Sequence, residues 1–337
     1  MSYNFDNNQN HYYFNNKNSL PIIFIHGVGL NQQMWKPQIE FFKDKSFITY
    51  DLLGHGKTPF KDPNLSMENF TDQLSNLVNN LKIEKFNLIG FSIGSLIAIE
   101  FASKYENYLN SLTLISTTYQ RTAKEKQNVI DRVNLAKKNM PISQMAMKRW
   151  FSDKYLEQNP ELYDEFMKIL NKKGIDQENF IKAYEVFANY QDNLENIKNI
   201  KTNTLIITGS DDPGSTSDMS RNLNKDIQNS TYVEIKNGKH LCTIEYADEV
   251  NNAIMKHINN AWVKKISNVY KWSVGRLWYK KTFETLNPEN NKPWAVVPEA
   301  SANDVDRAVK AAQKAFEGEW PKMLARDRAK YLRDIGN

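Results

Sequence analysis

The sequence predicts an α/β fold built on a mostly parallel sheet with an antiparallel start, and three observations carry that prediction. After the first pair, strand-like runs alternate with helix-like stretches, as they do when crossover helices join parallel strands. One long interval, approximately residues 118–200, is strand-free and helix-rich, so an insertion interrupts the alternation. Between an apolar run and a helical one lies Gly90-Phe91-Ser92-Ile93-Gly94, a G-x-S-x-G turn that leaves a serine exposed above a sheet edge.

The expected strands are 3–5 and 11–14, an N-terminal hairpin, then 21–25, 47–50, 86–91, 111–116, 203–208 and 231–235. Pro21-Ile22-Ile23-Phe24-Ile25 is a continuous apolar run ending in the turn His26-Gly27-Val28-Gly29. Phe47 to Tyr50 leads into Asp51-Leu52-Leu53-Gly54-His55-Gly56-Lys57-Thr58. Phe86-Asn87-Leu88-Ile89 feeds the G-x-S-x-G turn, and the helical run Leu96 to Tyr105 follows it. The insertion holds amphipathic runs at 124–139, 143–151 and 161–171. Thr204 to Thr208 ends in Gly209-Ser210-Asp211-Asp212-Pro213. Thr231 to Ile235 ends in the loop Lys236-Asn237-Gly238-Lys239-His240, ahead of a helix-like run from Asp248 to Ile258.

The G-x-S-x-G turn is so tight that its flanking positions must be small, and Ser92 becomes the candidate nucleophile. A loop that merely caps a helix would read the same in isolation. A serine hydroxyl is a poor nucleophile at neutral pH, so it needs a base, and the base needs a third group to hold its tautomer. The chain has five histidines. His240 lies in a loop beyond a strand end, where it can reach Ser92. His11 falls in the hairpin, His26 and His55 in glycine turns and His257 in a helix past the core, all settings that suit structural roles. The orienting acid should come from a strand end between serine and histidine, where Asp211 and Asp212 compete.

The order Ser92, Asp, His240, together with the glycine turns, resembles the α/β-hydrolase superfamily. That resemblance implies the fold and assigns several roles. The superfamily's G-x-x-D spacing after this strand selects Asp212, leaving Asp211 as a solvated loop charge. The turn after the 21–25 strand is where the superfamily supplies one oxyanion-hole amide, so the Val28 and Ile93 N–H groups are the implied donors. Asp51 to Thr58 is similar to the superfamily's D-x-x-G-x-G-x-S/T turn, whose role is chiefly architectural. The insertion occupies the position of the cap. Trp150, Phe151, Tyr184 and Phe187 from the cap, and Trp35 after the oxyanion turn, fit either a substrate cavity or ordinary core packing. Arg149 reads either as a carboxylate clamp or as a surface guanidinium.

Composition narrows the classes. The chain has 337 residues, 40% of them hydrophobic and 12% aromatic, which suits a globular protein with a substantial core. No run approaches a membrane span, and the start lacks the basic and apolar regions of a signal peptide, so a cytoplasmic location is expected. The single cysteine, Cys242, excludes an internal disulfide and agrees with a reducing compartment. It reads as a small packing residue. Neither metal-ligand spacing nor a G-x-G-x-x-G after a strand occurs, so no metal and no cofactor are expected. Residues 264–337 carry 15 basic and 9 acidic side chains, while the first 263 carry 29 and 30. Basic character therefore belongs to the tail, scattered along a helix, which disfavours nucleic-acid binding.

Beyond Val263 the sequence changes character, giving expected domains of 1–263 and 264–337. Lys281 to Pro288, Ala295 to Ser301, Asp304 to Ala312, Trp320-Pro321 and Arg326 to Leu332 resemble the N-terminus of an aldehyde dehydrogenase. Ser301 with Asp304 is a capping-box start, and Val305, Ala308, Val309, Ala312 and Phe316 form one apolar helix face. The cysteine nucleophile, glutamate base and cofactor loop of that family lie downstream of the matched part, so the tail reads as a fragment produced by fusion, frameshift or read-through.

The first 263 residues are most similar to 3-oxoadipate enol-lactonase-like hydrolases, on His26 to Leu30, Met34-Trp35 and Asp212 to Thr216. The implied activity is serine hydrolysis of a small-molecule carboxylic ester or lactone. A carbon–carbon bond hydrolase of ring-cleavage products would use the same triad, and some relatives of the fold are catalytically silent binding modules.

Overall fold

The computed structural model describes residues 3–140, 142–269, 282–286, 293–299 and 301–317. The chain divides into two compact units, Met1–Ile258 and Asn259–Asn337.

In the first unit eight strands make one sheet. β1 (Asn4–Phe5) pairs antiparallel with β2 (His11–Asn15), which pairs antiparallel with β4 (Phe47–Tyr50). The remaining strands, β3 (Ile22–Ile25), β5 (Phe86–Phe91), β6 (Leu109–Ile115), β7 (Thr204–Gly209) and β8 (Ser230–Ile235), are parallel, in the order β1-β2-β4-β3-β5-β6-β7-β8. The α/β-hydrolase fold expected from the sequence is the fold observed.

Side-chain alternation explains why the central strands read as unbroken apolar runs. Ile22 and Phe24 join one core with Phe47, Ile89 and Phe91, while Ile23 and Ile25 join the other with Ile48, Tyr50 and Leu88. Successive residues face opposite sides of a strand, and a parallel sheet covered on both faces buries both sets. Ile39 of α1 (Lys36–Phe41) with Cys242 of α11 (Cys242–Glu245) and Val250 and Ile254 of α12 (Ala247–Val269) belong to the first core. The second receives Leu74 of α2 (Met67–Asn80), Leu96 of α3 (Ile93–Tyr105) and Leu223 of α10 (Ser217–Asp226). α3 is mostly apolar and buried from Ile93 to Ile99, and only its last turns, with Glu100 and the exposed Lys104, carry a polar side.

Between β6 and β7 the cap contributes α4 (Ala123–Lys137), α5 (Ile142–Trp150), α6 (Asp153–Gln158), α7 (Pro160–Leu170), α8 (Ile175–Asn189) and α9 (Leu194–Asn199). Thr122 and Glu125 start α4 with a reciprocal capping box. Tyr190 at the end of α8 ties the cap to α3 through a 2.9 Å hydrogen bond to Glu100. His257, expected past the core, is instead buried, with Nε2 3.1 Å from the Leu112 carbonyl.

The second unit contains an antiparallel pair, β9 (Thr282–Leu286) with β10 (Pro293–Pro298), and α13 (Ala302–Glu317). Val305 and Val309 of the expected apolar face are exposed in it. Trp320, Pro321 and 326–332 lie outside the described residues. Among the described residues, no helix is long and apolar enough to cross a membrane.

Candidate active site

Ser92 is the hinge between β5 and α3. Its backbone stands at φ 56° and ψ −118°, in the left-handed half of the map that side chains avoid. Such strain persists only when the surroundings over-determine it. Here Ser92 N donates to the Ile115 carbonyl at 2.9 Å, and Ser95 Oγ anchors the turn on the Gly90 carbonyl at 2.7 Å. The flanking glycines are obligatory. A Cβ on Gly90 would collide with the Gly94 backbone, and one on Gly94 would press into the Ile25 and His26 carbonyls, the latter at 2.8 Å.

Two strand ends bring the other polar groups together. Gly209 at the end of β7 packs so closely on the Gly238 carbonyl that no side chain fits between, and Asp211 N donates to that carbonyl at 2.9 Å. This contact sets the loop after β7 beside the loop after β8. Asp212 Oδ2 accepts from His240 Nδ1 at 2.6 Å, while Asp212 Oδ1 accepts from Gly214 N at 2.9 Å and Ser215 N at 3.0 Å. The carboxylate is thus fixed on both oxygens. With Nδ1 donating to Asp212, His240 presents Nε2 as an acceptor. Asp211, in contrast, is exposed and accepts from its neighbour Ser210 Oγ at 2.7 Å. Ser116 Oγ donates to the His240 carbonyl at 2.9 Å and so holds that loop from below.

A cavity under the cap is lined by Ser92, His240, Asp212, Gly27 and Val28, and by Arg149 and Trp150 from α5. Ser92 Oγ and the His240 ring share this cavity without a hydrogen bond between them. Phe91 sits against the imidazole at a 5.0 Å ring distance, and Trp150 stacks across it at 6.5 Å and 29°. Ile93 is the first residue of α3, where an amide has no intrahelical acceptor, and Val28 lines the cavity from the turn after β3. Arg149 is therefore a cavity residue rather than a surface guanidinium, and burial, above all, pulls it below its ordinary range.

Trp35, expected either in the substrate cavity or in the core, does not line the cavity: the indole is fully buried in the core, 5.0 Å from Phe24 and edge-on to Phe91. Its position after the His26–Gly29 turn fixed its neighbourhood and not its direction. Phe151 likewise packs on Tyr155 and Phe166, whereas Tyr184 and Phe187 do line the cavity. Arg132 on α4 lines it too, a residue that sequence reasoning passed over.

The turn from His26 to Gly29 is pinned by two neutral histidines. His26 donates from Nδ1 to the Gly27 carbonyl at 2.8 Å and accepts at Nε2 from Leu52 N at 2.9 Å. His55 donates from Nδ1 to Leu53 O at 3.0 Å and accepts at Nε2 from Gly29 N at 3.1 Å. Burial pushes them down to about 4 and about 3, respectively. Cys242 is buried and packs near Ser116; burial first, then the Asp212 charge, pushes its thiol up to about 12. Among the described residues, no group of three or more His, Cys, Asp or Glu is arranged to hold a metal ion.

A family model described as alpha/beta hydrolase fold matches residues 21–246, and one described as aldehyde dehydrogenase family matches 278–337. Two curated relatives come from Acinetobacter baylyi. The (E)-2-((N-methylformamido)methylene)succinate hydrolase is 27% identical over 253 residues, covering 74% of this chain and 94% of its own. The 3-oxoadipate enol-lactonase 2 is 26% identical, covering 71% and 89%. The enol-lactonase structure from Burkholderia xenovorans LB400 superposes with a TM-score of 0.69 at 22% identity, covering 76% of this chain and 99% of that one. In the tail, 57 residues are 49% identical to an aldehyde dehydrogenase of Aspergillus niger, 17% of this chain and 12% of that protein.

Proposed function

Because the chain belongs to the alpha/beta-hydrolase fold family through residues 21–246, we propose that it is a serine hydrolase cleaving a small-molecule carboxylic ester or lactone through an acyl-enzyme. The observation that carries this reading is the strained Ser92, held at the strand-to-helix turn in one cavity with a His240 whose Nδ1 is fixed by Asp212 at 2.6 Å. An enol-lactonase relative at 26% identity supports the choice of bond.

In this mechanism His240 Nε2 takes the Ser92 Oγ proton as Oγ attacks the carbonyl carbon, the contact tightening once substrate fills the cavity. The carbonyl oxygen becomes an oxyanion held by the Val28 and Ile93 N–H groups, donors each worth about 10²–10³ in rate. Collapse breaks the C–O bond to the leaving alkoxide or enolate, which receives the proton from His240. A water then attacks the acyl carbon, giving its proton to His240, and the second collapse returns that proton to Ser92 and frees the acid. Asp212 orients the imidazole and stabilises its protonated form throughout. A cytoplasmic setting fits the single, buried thiol of Cys242.

Ser92→Ala tests the reading, since loss of a triad nucleophile typically costs about 10⁶ in turnover. Hydrolysis of a p-nitrophenyl ester by the folded variant is expected to vanish into the background. Retention of more than a small fraction of activity would remove Ser92 from the role. A panel of lactones, acyclic esters and ring-cleavage products then ranks the scissile bond by kcat/KM.

A further inference from the structure

Two consecutive residues at the end of β6 hold the two halves of the candidate site. The Ile115 carbonyl accepts from Ser92 N at 2.9 Å, and Ile115 N donates to Ser95 Oγ at 3.0 Å, so this residue fastens the turn that carries the serine. One residue later, Ser116 Oγ donates to the His240 carbonyl at 2.9 Å and fastens the loop that carries the imidazole. Ser116 N donates to the Ile207 carbonyl of β7 at 2.9 Å. The segment is thereby tied to the strands on both sides of β6.

The backbone at Ser116 is strained for this purpose. Its φ is 48°, in the left-handed region that glycine enters freely and a residue with a Cβ seldom does, and the side chain is fully buried. Such a conformation persists where the surroundings over-determine it. What serine brings that glycine lacks is the hydroxyl. Its hydrogen goes to the His240 carbonyl, and its oxygen faces Cys242 Sγ at 4.0 Å, a thiol held protonated and so able to donate weakly.

The peptide group between His240 and Leu241 is gripped at both of its polar atoms. The carbonyl takes the Ser116 hydrogen, and the N–H, that of Leu241, donates to the Trp150 carbonyl of the cap at 3.0 Å. A peptide plane restrained in this way sets the direction in which the His240 side chain leaves the backbone. Asp212 acts at the far end of that side chain, on Nδ1. Of the two grips on the peptide, the one from Ser116 shares its segment with the Ser92 turn.

We infer that Ser116 is a positioning residue, whose hydroxyl sets where His240 stands relative to Ser92, so that the dipeptide Ile115-Ser116 registers the nucleophile against the base. The inference rests on the reading of Ser92 and His240 as the hydrolytic pair. It adds a residue that is absent from the cavity lining and acts only through the histidine.

Three measurements test it. Ser116→Ala removes the hydroxyl, and Ser116→Gly removes it while relieving the strained φ. Both are expected to lower kcat for a p-nitrophenyl ester by about 10- to 100-fold, the cost of a misplacement on the order of 1 Å, with KM within about 2-fold of the parent. If the serine served only to shape the chain, glycine would serve as well, and a glycine variant with parental kcat overturns the inference. The second measurement places Ser116→Ala in a His240→Ala background and follows labelling of Ser92 by a fluorophosphonate. A residue that acts through the imidazole has nothing left to act on there, so slower labelling is expected with His240 present and no further loss without it. Equal losses in both backgrounds overturn the inference. The third compares crystal structures of the parent and Ser116→Gly, where the imidazole is expected to shift while the Ser92 turn stays in place. An unmoved imidazole overturns the inference, whereas a shifted one in a protein whose parent hydrolyses no ester overturns the hydrolytic reading and leaves the positioning role standing.

Discussion

At the scale of single residues, the two adjacent aspartates show what one position along a loop is worth. Asp212 is buried with both oxygens committed, and Asp211 is exposed beside Ser210. Asp212→Asn would favour the wrong tautomer of His240, a change that costs about 10⁴ in a related triad. Asp211→Asn removes a solvated charge and is expected to leave esterase rates close to the parent. Kinetics on the pair decide the matter, and a larger loss at 211 would reverse the assignment. The site was legible wherever chemistry dictated residue type: a serine at a forced turn, one histidine in a loop beyond a strand, an acid between them. It was illegible wherever direction mattered. Trp35 follows the His26–Gly29 turn yet points into the core, and Arg132 sits on a helix whose inner face is defined by its packing against other cap helices, α8 above all.

Among elements, the glycine turns carry the tightest geometry. Gly94→Ala forces a methyl group into the carbonyls at the end of β3, and a loss of about 1–3 kcal/mol, or more, is expected from urea unfolding, as for other overpacked sites. A parent-like midpoint would mean that the turn relaxes freely. The His26–Gly29 turn adds an acid sensitivity. His26 and His55 each use one ring nitrogen as an acceptor, so each must be neutral in the fold, with values down to about 4 and about 3. In the unfolded chain both titrate near 6.5. Between those values the unfolded state binds more protons, so stability is complete above about pH 6.5 and falls as pH drops toward 4, by an amount on the order of a few kcal/mol. His55→Gln keeps an acceptor for Gly29 N and should flatten that decline. A decline equally steep in the variant would assign the protons elsewhere. The parallel strands were readable because double burial demands unbroken apolar runs. α8 escaped notice because its buried residues, among them Asn179, Phe180, Tyr184 and Phe187, mix polar and aromatic types, and no strong periodicity marks its face.

For the whole molecule, every group in the proposed mechanism lies at or before His240, inside the first compact unit. A chain truncated after Val263 is therefore expected to keep the proposed esterase activity, measured against the full chain at equal concentration. Loss of activity would make the tail a working part of the hydrolase. The 337-residue chain is not expected to couple aldehyde oxidation to NAD reduction, because its one thiol, Cys242, is buried and held protonated. Aldehyde-dependent NADH formation by the pure protein would contradict that. One last feature reaches across the first unit: the end of α5 is fastened to both sides of His240. Lys239 Nζ donates to the Lys148 carbonyl at 2.9 Å, Leu241 N to the Trp150 carbonyl at 3.0 Å, and Ser152 N to Glu245 at 3.0 Å. The covering segment is consequently no interchangeable cartridge. A chimaera that imports a foreign cap, whether by recombination or in the laboratory, breaks three clasps around His240 at once, and a productive graft has to bring residues 239–245 along with it.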